Sequence, residues 1–309
     1  MNKYRDFQRR IINLYVEHPE VKRIWEMLDK RRKYRALGIE NEAFESPLHL
    51  FIQGKSRVGK TQMMKKYARS SQRKLLIEED GTEVAIVPVA YMEMPSPFTL
   101  VGFYSQILNM GLNVPIINGS PKVYELENRA ITLLKRQRVE MLIIDEMDYV
   151  INSTYVNRNQ VMEQIKKVAN MTDVCLVCVG TPAIEDLRKL SDQHVGRYAP
   201  VTIPWFKEFD DSFLYLLKDI EHQLASEIPL GLADENSYLP ELLHELTGGL
   251  IGWLKPILRE SFDLLGVFDS DFNDFQILSK LDGNILLKAR ENVIGQLSED
   301  EVNNFLERQ

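Results

Sequence analysis

The chain has 309 residues, 44% hydrophobic and 27% charged, enough apolar material for one large domain or two coupled ones. It has no apolar run of transmembrane length and no signal-peptide pattern, so the expectation is a cytoplasmic protein with no membrane partner. The net charge of −7 hides an asymmetry: residues 1–77 hold 19 Lys+Arg and 8 Asp+Glu (+11), the rest 19 and 37 (−18). Overall acidity argues against indiscriminate coating of DNA. The basic N-terminal part suits a solvated helical face, a local nucleic-acid path or an acidic neighbouring subunit.

Residues 3–37 carry apolar positions at helical spacing, with His18-Pro19 as an interruption and a basic cluster at Arg31, Arg32, Lys33 and Arg35. Residues 48–53 read as a first, buried strand. They lead into Gly54-Lys55-Ser56-Arg57-Val58-Gly59-Lys60-Thr61, which fits G-x-x-x-x-G-K-[ST]. A helix-compatible run from Gln62 follows. In such a loop, backbone N–H groups close around phosphate oxygens and the helix N-terminus adds partial positive charge. Residues Gly54 to Gln62 are thus expected to hold ATP or ADP, Lys60 reaching the β- and γ-phosphates and the Thr61 hydroxyl ligating Mg2+.

A second strand is expected over 84–92, a break at Pro95-Ser96-Pro97, a helix over 99–110, a loop over 111–121 and a helix over 123–137. The third strand ends in Met141-Leu142-Ile143-Ile144-Asp145-Glu146. A parallel strand buried on both faces reads as such an apolar run, and ligands bind at the carboxyl ends of parallel strands. Asp145 is expected to hold the Mg2+ shell through water, and Glu146 to orient and deprotonate the water that attacks the γ-phosphate. A helix over 159–170, a strand over 174–180, a short helix over 184–190 and a short strand over 201–203 complete the α/β pattern. From residue 208 onward the periodicity is helical throughout.

The only cysteines, Cys175 and Cys178, have C-x-x-C spacing, but no second pair or nearby histidine completes a zinc site. Positions three apart on a strand face opposite ways, so both read as buried small hydrophobes. Strands alternating with helices imply α/β architecture of the P-loop NTPase kind, a five-stranded parallel sheet flanked by helices. The expected domains are an N-terminal helical extension (1–46), the nucleotide-binding core (47–206), a helical lid (207–291) and a polar tail (292–309). Nucleotide is expected between core and lid.

Several strings are more specific than a mononucleotide fold. Ser56 to Met63, Pro88 to Pro95, Met141 to Asp148 with its Asp-Glu-x-Asp, and Gly180-Thr181-Pro182 resemble the TniB/TnsC family of AAA+ transposition regulators, of the Tn7-like and CRISPR-associated type. So do His18 to Trp25 and Thr247 to Leu254, and the resemblance spans roughly residues 10–265. It implies a Mg2+-dependent ATPase that forms a homo-oligomer, ring or helical filament, on double-stranded DNA. Such proteins link a TniQ/TnsD-type target selector, in some systems a CRISPR effector, to a TnsB/TniA-type transposase.

The resemblance also places roles. Thr181 matches the polar sensor that meets the attacking water or the γ-phosphate; its other reading is an N-cap for the helix opened by Pro182. Arg197 matches the arginine that reaches a neighbour's nucleotide, with Arg188 as the competing candidate. Relatives often carry an arginine in the lid where this chain has Trp253, and Lys255 stands two residues on. DNA-lining loops fall at about 94–101 and 117–123, where Thr99, Ser120 and Lys122 are the available phosphate partners. Two other readings stay open: a helicase-loader or initiator-like ATPase, and a signalling NTPase that ignores nucleic acid.

Overall fold

The computed structural model describes residues 2–42, 47–71, 73–115, 122–153 and 156–295. In chain order the helices and strands are α1 (Lys3–Asn13), α2 (Val21–Glu40), β1 (His49–Gln53), α3 (Lys60–Ser70), β2 (Lys74–Ile77), β3 (Glu83–Ile86), β4 (Val89–Glu93), α4 (Leu100–Gln106), α5 (Val123–Arg136), β5 (Met141–Asp145), α6 (Asp148–Asn152), α7 (Arg158–Thr172), β6 (Cys175–Gly180), α8 (Glu185–Arg188), α9 (Asp192–Arg197), β7 (Tyr198–Thr202), α10 (Asp211–Leu224), α11 (Leu239–Thr247), α12 (Leu254–Leu264) and α13 (Gly283–Ile294). They form two compact units. Residues 20–54 and 60–203 make a sheet unit; residues 1–19, 55–59 and 204–309 make a helical unit.

In the sheet unit five strands lie in the order β4-β5-β6-β1-β7, every pair parallel. β1, β5 and β6 carry apolar runs because both faces are covered; Met141 to Asp145 and Cys175 to Gly180 are buried throughout. Cys175 and Cys178 sit inside this layer as free thiols. His49, at the start of β1, is also buried, and its Nδ1 accepts the Leu176 N–H at 3.1 Å.

The sequence reading gives one strand over 84–92. The structure divides it in two: Glu83–Ile86 pairs antiparallel with Lys74–Ile77 as a separate hairpin, and Val89–Glu93 joins the main sheet beside β5. Pro88 separates them, because it has no N–H to continue a ladder. The expected helix over 99–110 starts with Thr99 as its N-cap, its hydroxyl accepting the Gly102 N–H at 2.9 Å, and finishes as a π-helical turn, Ile107–Gly111.

The helical unit has its own core, in which Phe7 and Ile11 of α1 join Phe213, Leu217, Leu258, Phe262 and Phe275. Tyr4, Phe7, Phe262, Phe272 and Phe275 pack largely edge to face. Arg10 fastens α1 to the end of α10 through the Leu224 and Ala225 carbonyls, at 2.7 and 3.1 Å. Among the described residues no helix is long and apolar enough to cross a membrane.

Candidate nucleotide site

Parallel strands deliver their carboxyl ends to one side of the sheet, and the candidate residues of the sheet unit collect there. Gly54, the first residue after β1, donates its N–H to the Gly180 carbonyl at the end of β6, 3.2 Å away. Lys60 opens α3, and its ammonium donates to the Gly54 carbonyl at 2.6 Å. Burial holds its pKa below the usual lysine value, while the charges of Asp148, Asp145 and Glu146 pull it back up. The phosphate-loop lysine and the carboxylates that follow β5 therefore share one electrostatic neighbourhood.

Asp145 is 1% exposed. One of its oxygens accepts the Tyr91 hydroxyl at 2.8 Å, and the other accepts the Glu146 N–H at 2.8 Å. Tyr91 belongs to β4, beside β5 in the sheet, and its hydroxyl also lies 3.3 Å from Glu93, which pairs with Lys65 at 2.8 Å. Glu146 takes a left-handed backbone (φ 58°), an uncommon state for a residue with a Cβ and one that clusters at functional sites. Its pKa is raised, first by burial and then by Asp145 and Asp148, with Lys60 opposing.

Thr181 follows β6. Asp148, at the start of α6, accepts both its N–H (2.8 Å) and its hydroxyl. The hydroxyl thus makes no cap for the 3-10 turn at Pro182. A side chain on Gly180 would put its Cβ 2.5 Å from Ile184 and 2.7 Å from Asp148, so this junction admits only glycine.

The middle of the phosphate loop, Lys55–Gly59, belongs to the helical unit. There the Gly252 N–H donates to the Arg57 carbonyl at 2.7 Å, and a Cβ on Gly252 would lie 2.5 Å from that oxygen. The Arg57 guanidinium stacks 4.1 Å from the Trp253 ring centroid, and the Lys55 ammonium lies 4.4 Å from that of Trp205. Lys255 points elsewhere: its ammonium donates to the Ile12 carbonyl at 2.6 Å. Burial and then Arg259 lower its pKa.

Two arginines compete for one role in the sequence. Arg188 makes a forked pair with Glu185 at 2.5–3.1 Å. Arg197 ends α9, and its Nη1 donates to the neutral Asn170 side chain at 3.0 Å. It immediately precedes Tyr198, which pairs with His49 at the amino end of β1. That is a strand length of five residues, roughly 16 Å, from the carboxyl ends where Asp145 and Thr181 sit. Lys122 and Thr99 are both exposed; Lys122 precedes α5, with its ammonium 5.9 Å from the Tyr124 ring. Ser120 lies outside the described residues.

Among the described residues, no group of three or more His, Cys, Asp or Glu side chains could hold a metal ion by itself. Mg2+ binds through one or two protein groups, with waters and substrate phosphates completing the octahedron. Asp145, with Thr61 on α3, has the right chemistry for the protein share. Three carboxylates act on one lysine there, a charge excess that a bound cation would offset. Tyr91 and Asp148 have no place in the sequence-derived set, although both touch residues in it. The only signal for Asp148 is its spacing in Asp-Glu-x-Asp, and for Tyr91 a place near the end of a strand whose neighbour the sequence does not reveal.

This combination, a parallel sheet with a phosphate loop after one strand and paired carboxylates after another, is the AAA+ class of P-loop fold. The same fold appears, at low identity, in the Aeropyrum pernix ORC1 protein solved in complex with DNA: 17% identity, TM-score 0.60, covering 92% of this chain and 68% of that one. The Aeropyrum pernix ORC2 protein gives 14% identity and TM-score 0.59, covering 95% and 74%. A Walker-type ATPase of Pyrococcus abyssi gives 15% and 0.52, covering 90% and 76%. No curated protein matches in sequence. Residues 13–208 match the family described as Bacterial TniB protein, and the chain belongs to the TniB family.

Proposed function

We propose that this protein is an ATP-dependent DNA-binding regulator of transposition. It assembles on double-stranded DNA as a ring or filament and links a target selector of TniQ/TnsD type to a transposase of TnsB/TniA type. Membership of the TniB family supports the transposition part. The observation that carries the enzymatic part is the meeting of Lys60, Asp145 and Glu146 at the carboxyl end of the sheet.

In this reading Lys60 leaves the Gly54 carbonyl for phosphate oxygens, and the backbone of residues 54–62 cradles the phosphates. Thr61 and Asp145 hold Mg2+, which neutralises phosphate charge when bound. Glu146 takes the proton of the attacking water. An ionised Asp148 can only accept hydrogen bonds, so it commits the Thr181 hydroxyl hydrogen to itself. The lone pairs of Thr181 then face the site and orient water, in preference to donating to phosphate. Arg57, stacked on Trp253, and Lys255, engaged by Ile12, both belong to the helical unit. Arg197 stands at the far end of the strands from its own carboxylates, which supports action on a neighbouring copy's nucleotide. Lys122 and Thr99 remain the DNA-backbone candidates, and the ORC1 relative solved with DNA supports a nucleic-acid partner for this fold.

The test is double-stranded DNA binding by wild type and Lys60→Ala with ATP, ADP or no nucleotide, followed by anisotropy and electron microscopy. ATP-dependent rings or filaments that the variant fails to form are expected. ATP binding with no response to DNA at low salt overturns the reading in favour of a signalling switch.

A further inference from the structure

Among the described residues, two exposed apolar surfaces of the sheet unit lie outside the candidate nucleotide site. One is the β2–β3 hairpin. Leu75 and Ile77, two apart and so on one face, are 62% and 65% exposed, and their cross-strand partners Ala85 and Glu83 are exposed as well. The hairpin's other face is packed on the unit, with Val84 buried and Leu76 half-buried. The hairpin is also acidic: Glu78, Glu79, Asp80 and Glu83 surround its turn, and only Glu78 has an ion-pair partner described, Arg136 at 3.1 Å.

The other surface is the second half of α2. Its buried residues, Val21, Ile24 and Leu28, all lie in the first half. Arg32 and Arg35 face inward, to Glu140 at 2.7 Å and the Asp173 carbonyl at 2.5 Å. Outward, Lys30, Tyr34 and Leu37 follow one another at i, i+4 and i+7, with Lys33 alongside, and the ammonium of Lys30 lies 5.5 Å from the Tyr34 ring centroid. Tyr34 and Leu37 are 52% and 44% exposed. A phosphate backbone would be met by the lysines alone. The apolar stripe asks for an apolar partner with carboxylates beside it, and the hairpin of this same chain has that composition.

Arg32 of α2 donates to Ser71, three residues before the hairpin begins. Hairpin and helix both lie toward the amino ends of the strands: the hairpin leads into β4, and Arg32 and Arg35 grip residues that immediately precede or adjoin β5 and β6. An acidic apolar ribbon and a basic apolar helix in one chain are complementary surfaces, which two copies can exchange about a two-fold axis.

We propose that two copies of this chain pair back to back through these two surfaces, the hairpin of each lying on α2 of the other. Leu75 and Ile77 cover Tyr34 and Leu37, and the hairpin carboxylates face Lys30 and Lys33. The pairing leaves the carboxyl ends of the strands free, so it needs neither nucleotide nor DNA.

Thiol cross-linking tests it. The native cysteines are buried inside the sheet, and burial pushes the Cys175 thiol up to about 12, so an introduced surface cysteine is the reactive one. Leu75→Cys and Leu37→Cys are made separately and mixed without nucleotide or DNA at tens of micromolar, then treated with a short bismaleimide. A covalent dimer in the mixture, at least fivefold above either variant alone, is expected. The double variant should stop at dimer. Lys30→Glu with Lys33→Glu should abolish the cross-link, and Glu79→Lys with Asp80→Lys in the same copies should restore it.

No cross-link above the single-variant background overturns the proposal. A ladder beyond dimer overturns the two-fold arrangement in favour of a head-to-tail chain. If the Lys30→Glu, Lys33→Glu protein keeps the cross-link but loses DNA affinity, the helix is a DNA surface and the proposal fails. The cross-linking is done without ATP or DNA, so its outcome is independent of the proposed function; DNA affinity is measured separately.

Discussion

Asp148→Asn probes the linkage between the carboxyl ends of β5 and β6. The Asp148 carboxylate accepts two hydrogen bonds from Thr181, from N–H and from hydroxyl. An asparagine keeps the shape but has one acceptor oxygen, so one donor loses its partner and the other loses its charge assistance. Hydrogen bonds to charged groups contribute about 1.5–3 kcal/mol each, so the expected loss of stability is about 2–3 kcal/mol. Thr181→Ala removes the hydroxyl bond alone and should cost about 1–2 kcal/mol. Urea unfolding of wild type, both single variants and the double variant gives the coupling, expected near 1.5 kcal/mol. If Thr181 orients water through Asp148, Asp148→Asn should also lower kcat for ATP hydrolysis by roughly 10- to 100-fold, with nucleotide affinity unchanged. A coupling energy under about 0.5 kcal/mol, with kcat intact, refutes the argument.

His49 and Arg197 give two further tests. His49 is buried and neutral, with its pKa pushed down to about 3 by burial and by Arg197 and Arg31. The unfolded chain binds a proton near the usual 6.5 while the folded chain refuses it, so this contribution is complete above pH 6.5 and lost as pH falls toward 3. Between pH 6.5 and 5 wild type should lose about 2 kcal/mol of unfolding free energy through this residue. His49→Gln should flatten that slope, and equal slopes in denaturant titrations at the two pH values would remove the assignment. For Arg197, neither Arg197→Ala nor Lys60→Ala should hydrolyse ATP under assembly conditions. An equal mixture should recover roughly a quarter of wild-type activity, since intact sites then meet intact arginines from neighbouring copies. A mixture as inactive as its components places the arginine's action within one chain, or elsewhere.

Much of the nucleotide site is legible in the sequence, because its parts are local. A phosphate loop is one strand–turn–helix segment, and its glycines and lysine stand within a few residues of each other. Strands β1, β5 and β6 are buried on both faces, so they appear as unbroken apolar runs, and the polar pair after Ile144 marks where one of them ends. The 84–92 segment is harder. Val84 to Met92 is equally apolar on either side of Pro88, and only pairing partners decide that one half joins β2 and the other β5.

The chain alone determined an α/β protein with a phosphate loop, a catalytic-looking carboxylate pair and a helical C-terminal part. Each of these rests on residue type and short-range periodicity. The tertiary structure decided what each polar group touches: Tyr91 on Asp145, Asp148 on Thr181, Lys255 on Ile12 and Arg188 on Glu185. Arg188 and Arg197 have the same side chain, and what distinguishes them is the neighbour the fold supplies, a carboxylate for one and an amide for the other. Three of the decisive bonds span 33, 54 and 243 residues of sequence. Periodicity and propensity act within a turn or a strand, so pairings over such distances arise only when the sheet order and helix packing bring the segments together.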